Sequence, residues 1–75
     1  MNIIVKCFAT LAPFQPENTD SFPVEPGATP LSVMESLSIS PEEVHIIFVN
    51  GVAAAPDSAL KDGDRLGLFP AVGGG

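Results

Sequence analysis

The sequence ends in three consecutive glycines, Gly73-Gly74-Gly75, and a terminus of this kind has a chemistry of its own. Without a Cβ, glycine reaches backbone conformations closed to other residues, and a glycine strand is narrow enough to thread a tight channel in another protein. Ordering it there costs roughly 1–2 kcal/mol per residue, so the channel must grip it well. The reacting group is then the terminal carboxylate of Gly75, held away from the folded body. Activation with ATP turns such a carboxylate into an acyl-adenylate. A sulfur donor can convert the adenylate to a thiocarboxylate, a nucleophilic sulfur on a tether. The competing reading is an end that simply frays, as termini commonly do. Position favours the first reading, because the glycines directly follow Phe69-Pro70-Ala71-Val72, the end of an expected central strand.

The other residues capable of chemistry stand alone. Cys7 is the sole cysteine. It lies in a run of strand formers without a base beside it, and reads as a buried, inert thiol rather than a persulfide carrier. His45, the sole histidine, has no partner at ligand or catalytic spacing. Asp62 and Asp64 flank Gly63. Two carboxylates in a tight turn are too few for a cation, and turn chemistry accounts for them. Glu42 and Glu43 follow a helix-start signal, where negative charge suits the N-terminus.

The elements that must position the terminus follow from local grammar. Asn2 to Ala9 (NIIVKCFA) is rich in β-branched and aromatic residues and predicts a strand. Lys6 marks its water side, so Ile4, Lys6 and Phe8 face outward and Ile3, Val5 and Cys7 inward. Thr10 to Asn18 carries Pro13 and Pro16 and predicts a loop. Thr19 to Val24 predicts a second strand with Phe22 and Val24 on one face, at a sheet edge because Pro23 has no N–H to donate. Glu25-Pro26-Gly27 is a turn. Thr29-Pro30 predicts a helix start with a side-chain cap and Pro at the first helical position. Leu31, Met34 and Leu37 form its apolar face, widened by Val33, and the helix stops near Ser38. Ser40-Pro41-Glu42-Glu43 begins one further helical turn. His45 to Asn50 is the clearest strand, Asn50-Gly51 a hairpin turn, and Val52 to Ala55 a short return strand ended by Pro56. Leu60-Lys61-Asp62-Gly63-Asp64 is a second turn. Arg65 to Val72 is the last strand. With Arg65 on the water side, Leu66 and Leu68 point inward, and Gly67 and Phe69 outward. The order β-β-α-β-β-β predicts an α+β layer with one helix packed on a mixed sheet.

Size and charge narrow the function. A chain of 75 residues is one domain with a thin core and little room for a deep substrate pocket. That favours a carrier, adaptor or binding module over a self-contained enzyme. Nine acidic residues against three basic ones give a net charge of −6. Nucleic acid and anionic membranes would repel such a chain. The acidity points either to a partner with a basic docking surface or simply to solubility. A single thiol makes no internal disulfide, no basic signal-peptide segment opens the chain, and no apolar run approaches the ~20 residues that span a bilayer. The expected location is therefore cytoplasmic.

Three segments stand in the order and spacing of a known family: Val49-Asn50-Gly51, Leu60-Lys61-Asp62-Gly63-Asp64, and Leu68-Phe69-Pro70-Ala71-Val72-Gly73-Gly74-Gly75. Together with the Gly27-Ala28-Thr29-Pro30-Leu31 helix entry, they make nearly the whole chain resemble the MoaD/ThiS family of ubiquitin-like sulfur carriers. The resemblance implies a β-grasp domain over residues 1–72 and a flexible glycine tail over residues 73–75. It also implies that the protein is a co-substrate without an active site of its own. The Gly75 carboxylate would be adenylated by a ubiquitin-activating-type adenylyltransferase using ATP, with no cofactor bound to the carrier. A cysteine desulfurase or rhodanese type of donor would then supply sulfur. Gly73 and Gly74 would be the tether. Phe69-Pro70 and the length are similar to the molybdopterin branch, whose carrier is the small subunit of molybdopterin synthase and inserts its tail into the large subunit. The Pro13 to Pro16 loop departs from that branch, and a triple-glycine end also occurs in the thiamine branch. If the first and last strands are neighbours, as the family implies, Phe8, Phe69 and Pro70 would form a docking surface beside the tail. The same activated glycine would also serve a ubiquitin-like protein modifier. A plain ubiquitin-fold interaction domain is the remaining alternative.

Overall fold

The computed structural model describes residues 1–70. The expected boundary at residue 72 and the tail over 73–75 lie outside them. Five strands form one mixed sheet: β1 (Asn2–Cys7), β2 (Phe22–Pro23), β3 (Val44–Val49), β4 (Val52–Ala53) and β5 (Arg65–Pro70). Their spatial order is β2-β1-β5-β3-β4. β1 and β5 run parallel in the centre, and the other pairs are antiparallel. One α-helix, α1 (Pro30–Ser36), covers one face. This is the α+β layer of one helix on a mixed sheet that the element order predicts, in the β-grasp arrangement that the resemblance implies.

The helix begins where the sequence says it should. Thr29 accepts a hydrogen bond from Ser32 N–H, and the Thr29 N–H donates to the Ser32 hydroxyl, a closed capping box followed by Pro30. Capping of this kind stabilises a helix by about 1 kcal/mol. Ser38, at a φ of 61°, turns the chain out of the helix. The buried face is centred on Pro30, Val33 and Met34, with Leu31 and Leu37 only half-buried. The expected Leu31-Met34-Leu37 stripe is therefore rotated toward Val33, because a seven-residue helix buries the side lying flat on the sheet. Val33 and Met34 meet Ile3, Val5, Cys7, Leu66 and Leu68 in one buried apolar cluster. The inward parity read from Lys6 and Arg65 holds along both central strands.

Four expected segments differ. The first strand stops at Cys7, short of Ala9, and the expected Thr10 to Asn18 loop opens with a 3₁₀ helix, Ala9–Phe14, with Pro13 inside it. Proline removes one donor, and a 3₁₀ helix of only six residues tolerates that where a longer α-helix does not. Leu11 is buried and anchors this turn against the core. The second strand shrinks from Thr19–Val24 to two residues, Phe22–Pro23. Thr19 still bonds across to Val5, through its carbonyl and its hydroxyl, but the Asn18–Ser21 turn breaks the regular ladder. The return strand stops at Ala53, short of Ala55.

The Asn50 and Asp62-Gly63-Asp64 turns join in one hydrogen-bonded knot. Asp64 accepts from Asn50 Nδ2 at 2.9 Å and from Lys61 N–H at 2.8 Å. Asn50 Oδ1 accepts from Arg65 N–H at 3.0 Å, and Asp62 Oδ1 accepts from Asn2 N–H at 2.8 Å. Gly63, at a φ of +85°, supplies the left-handed conformation that the turn needs. The knot ties the entry of β5 to the start of β1 and the end of β3. Its carboxylates are thereby committed to structure. Asp64→Ala should lower unfolding free energy by about 0.5–1.5 kcal/mol, because the two donors it releases, Asn50 Nδ2 and Lys61 N–H, are exposed and turn to water. The checking measurement is a fall in the urea midpoint with an unchanged slope.

Candidate functional site

The outer face of the sheet, opposite α1, is built from rows of side chains across the three long strands. Register places Lys6 against Gly67 and Gly67 against Phe48, and it places Phe69 against Ile46. Phe8 follows β1 and completes the second row, its N–H bonded to the Leu68 carbonyl at 3.1 Å. The Phe8 and Phe69 rings stack with centroids 4.3 Å apart and planes within 6°. Phe48 meets Phe69 edge-on, with centroids 5.4 Å apart and an interplanar angle of 85°. Both geometries suit the ring quadrupole, and such pairs contribute about 0.5–1.5 kcal/mol beyond area burial. Phe8 and Ile46 nonetheless remain 40% and 39% exposed, so the cluster is an apolar surface rather than core. Between the rings lies a shallow cleft of about 200 Å³, rimmed by Lys6 and Arg65 and floored by Gly67.

A bulge shapes this face. Val44 opposes Pro70 and Ile46 opposes Phe69, so His45 is an extra residue in β3. Bulges redirect side chains. Here the bulge leaves Val44 packed against the core while Ile46 and Phe48 project outward. His45 is exposed, and among the described residues no three of His, Cys, Asp or Glu gather to hold a metal ion.

The sequence-predicted residues divide as follows. Phe8 and Phe69 lie together as expected. Pro70 does not join them: alternation along β5 turns it to the helix side, half-buried opposite Val44. Gly73, Gly74 and Gly75 lie outside the described residues. Gly67 lies on the outer face with Phe69 as the parity of Arg65 predicts, whereas Phe48 and Ile46 were not anticipated as parts of that face. The alternation of Ile46 and Phe48 was visible in HIIFVN, but their placement beside Phe69 depends on strand order and register. The cation rim also qualifies the charge argument. Of the three basic residues, Lys6 and Arg65 border the cleft, and among the described residues no carboxylate lines it.

A larger open groove, about 790 Å³, lies at the other end of the sheet between α1 and the β2 edge, lined by Pro23, Glu25, Ala28 and Ser36 among others. It gathers no set of groups able to catalyse a reaction. Among the described residues no helix is long and apolar enough to cross a membrane.

The fold and the aromatic face define a ubiquitin-like β-grasp protein. The ThiS family model matches residues 5–75, and the chain belongs to that family. Two crystal structures of small archaeal modifier protein 1 from Haloferax volcanii are similar to it. One superposes with a TM-score of 0.74 at 28% identity over 100% of both chains. The other gives a TM-score of 0.72 at 26% identity over 95% of this chain and 98% of that one. Among curated proteins none matches the chain in sequence. The family and these neighbours place the chain among small sulfur carriers and ubiquitin-like modifiers.

Cys7 faces α1 from β1 and is buried, and its N–H donates to Gln15 Oε1 at 2.9 Å. Burial pushes its thiol above the ordinary range. The folded state therefore holds this proton more tightly than the unfolded chain. The resulting stability is full below the unfolded thiol's pKa and is lost as pH rises through the folded one. Unfolding free energy should fall on alkaline titration through that window, and Cys7→Ala should remove that part of the fall. In native protein at neutral pH a disulfide reagent should leave Cys7 unmodified, whereas in denaturant it should react stoichiometrically.

Proposed function

We propose that this protein carries sulfur on the carboxylate of Gly75 and delivers it to an enzyme of molybdopterin or tungsten-pterin synthesis. The observation that carries the reading is the parallel β1–β5 pair. It stacks Phe8, just after β1, on Phe69 of β5, the strand whose last described residue, Pro70, precedes Ala71-Val72-Gly73-Gly74-Gly75. A partner that grips the aromatic face is thereby close to where the chain runs on toward its carboxylate. Match to the ThiS family over residues 5–75 supports the carrier role, and Phe69-Pro70 ahead of the glycines supports the pterin branch over the thiamine one.

The steps are group transfers. The Gly75 carboxylate attacks the α-phosphate of ATP in a ubiquitin-activating-type adenylyltransferase, and pyrophosphate leaves. The terminal sulfur of a persulfide on a desulfurase or rhodanese type of donor displaces AMP, and a second thiol reduces the acyl disulfide to the thiocarboxylate. Gly73 and Gly74 form the narrow tether for both the activating and the accepting enzyme, which in the pterin branch is the large subunit of molybdopterin synthase. ATP belongs to the activating partner and the carrier binds no cofactor. All of this takes place in the cytoplasm.

The full-length similarity to a small archaeal modifier protein favours a second reading. The same adenylate would be attacked by a lysine amine, releasing AMP and leaving an isopeptide bond. Incubation with ATP, a persulfide donor and the cognate activating enzyme distinguishes the two. Mass spectrometry should locate sulfur on Gly75 of the C-terminal peptide, trapped by thiol alkylation to separate it from oxidation of Met1 or Met34. Covalent conjugates of higher mass would instead establish the modifier. An unmodified Gly75, beside a control carrier that is sulfurated, would exclude the sulfur carrier.

A further inference from the structure

Gly67 sits at the centre of β5, paired on both sides to Lys6 and Phe48. Glycine within a strand weakens it and often marks a site where another molecule approaches closely. Neither usual structural reason applies here. Gly67 is not among the positive-φ glycines. A Cβ built on it would meet Phe8 Cε2 at 3.5 Å, Phe69 Cε1 at 3.7 Å and Phe48 Cβ at 3.8 Å, all ordinary van der Waals separations. The fold therefore accepts a side chain at this position. Gly67 is buried at the bottom of the cleft beneath the rings of Phe8 and Phe69, so a methyl group fits there while a larger side chain would fill the cleft or push the rings apart.

The charge around the cleft is equally specific. The whole chain carries a net charge of −6, yet Lys6 and Arg65 both rim this opening. The one ion pair among the described residues joins Lys6 to Asp20 at 3.5 Å, with the Asp20 side chain 83% exposed. Exposed pairs of this kind are weak and readily exchanged. Lys6 is thus available to another carboxylate, and Arg65 has no acidic side chain bonded to it among the described residues.

We propose that Gly67 is a specificity-determining residue of the carrier. Its cleft receives one apolar side chain from the activating adenylyltransferase, and carboxylates flanking that side chain pair with Lys6 and Arg65. The inference rests on the proposed activation of Gly75 and adds the chemistry of the partner's contact surface. That surface is acidic around an apolar knob, opposite to what the net charge of the carrier alone would select. The sequence LGLFP keeps the cleft open because Leu66 and Leu68 point to the core while Gly67 lies between them on the outer face.

The test is the ATP-dependent adenylation of the full-length chain by its cognate activating enzyme, followed by pyrophosphate release at several carrier concentrations. Gly67→Val fills the cleft or displaces its rings, and should raise KM for the carrier at least about tenfold with little change in kcat, the pattern of lost binding rather than lost chemistry. Gly67→Ala should raise KM only a few fold, while its thermal midpoint stays at or above that of the wild type. Lys6→Glu/Arg65→Glu, which leaves the cleft intact, should raise KM by about tenfold or more. It should also abolish the rise of KM with salt expected of the wild type, because rim ion pairs are screened. Unchanged KM in both Gly67→Val and the double charge variant, with wild type adenylated normally, would overturn this inference and leave the function standing. A lower KM for the charge variant would overturn it too, by showing a basic partner surface. Wild-type chain that is never adenylated would overturn the functional reading and this inference together.

Discussion

The parallel pairing of the first and last strands is the constraint on which the rest of the molecule depends. Parallel neighbours cannot be joined by a tight hairpin, so everything between Cys7 and Arg65 serves as the connection. That stretch supplies α1 to one face and β3 and β4 to the far side of β5. The pairing buries Leu66 and Leu68 against Val5 and Cys7, which supplies much of the core of a small chain. It also puts β5 in the middle of the sheet with a neighbour on each side. β5 is consequently held by two ladders at Leu66, Gly67 and Leu68, and by the β3 ladder on to Pro70. The chain beyond Pro70 thus starts from a fixed point.

That arrangement also governs the edges. β2 and β4 are two residues each, and Pro23 deprives the β2 edge of a donor. Short edges and proline discourage strand addition by other chains. The surface left for recognition is therefore the sheet face, where Phe8, Phe69, Phe48 and Ile46 sit. The aromatic contacts there are good enough to order the rings yet leave Phe8 and Ile46 partly in water. A monomer concerned only with stability gains nothing from keeping them there.

Much of this was legible in the sequence because it is encoded locally. Thr29-Pro30 announced α1, Asn50-Gly51 the hairpin, and Lys6 and Arg65 the parity of both central strands. The carboxylates of Asp62 and Asp64 were correctly assigned to turn chemistry, although their partners Asn2 and Asn50 were not foreseen. The features that escaped depend on tertiary context. A proline ordinarily breaks helices, so the 3₁₀ turn at Ala9–Phe14 could be recognised only once buried Leu11 showed what holds it. The shortening of β2 follows from a turn at Asn18–Ser21 that no strong turn pair announces. Pro70 was placed with Phe69 by adjacency, whereas strand alternation separates them. Phe48 and Gly67 could join the site only when register set them side by side, and register is a property of three strands at once.

Gly67 shows why local consistency and function part company at one position. Every other residue of β5 from Arg65 to Phe69 follows the alternation that the fold needs: solvent, core, face, core, face. At Gly67 the face position carries no side chain and the Phe8 and Phe69 rings close over it, although a methyl group fits at van der Waals distance and strand propensity favours one. Local rules in natural proteins are most often broken where function requires it. The break here falls at the centre of the apolar face, between two of the three basic residues of an acidic chain and on the strand that runs on toward the proposed site at Gly75. A void of about 200 Å³ is too small for a substrate or nucleotide and is commensurate with one side chain of a partner protein. The size of the cleft therefore argues for protein recognition, and its place on β5 sets that recognition on the strand from which the chain runs on to the proposed site at Gly75.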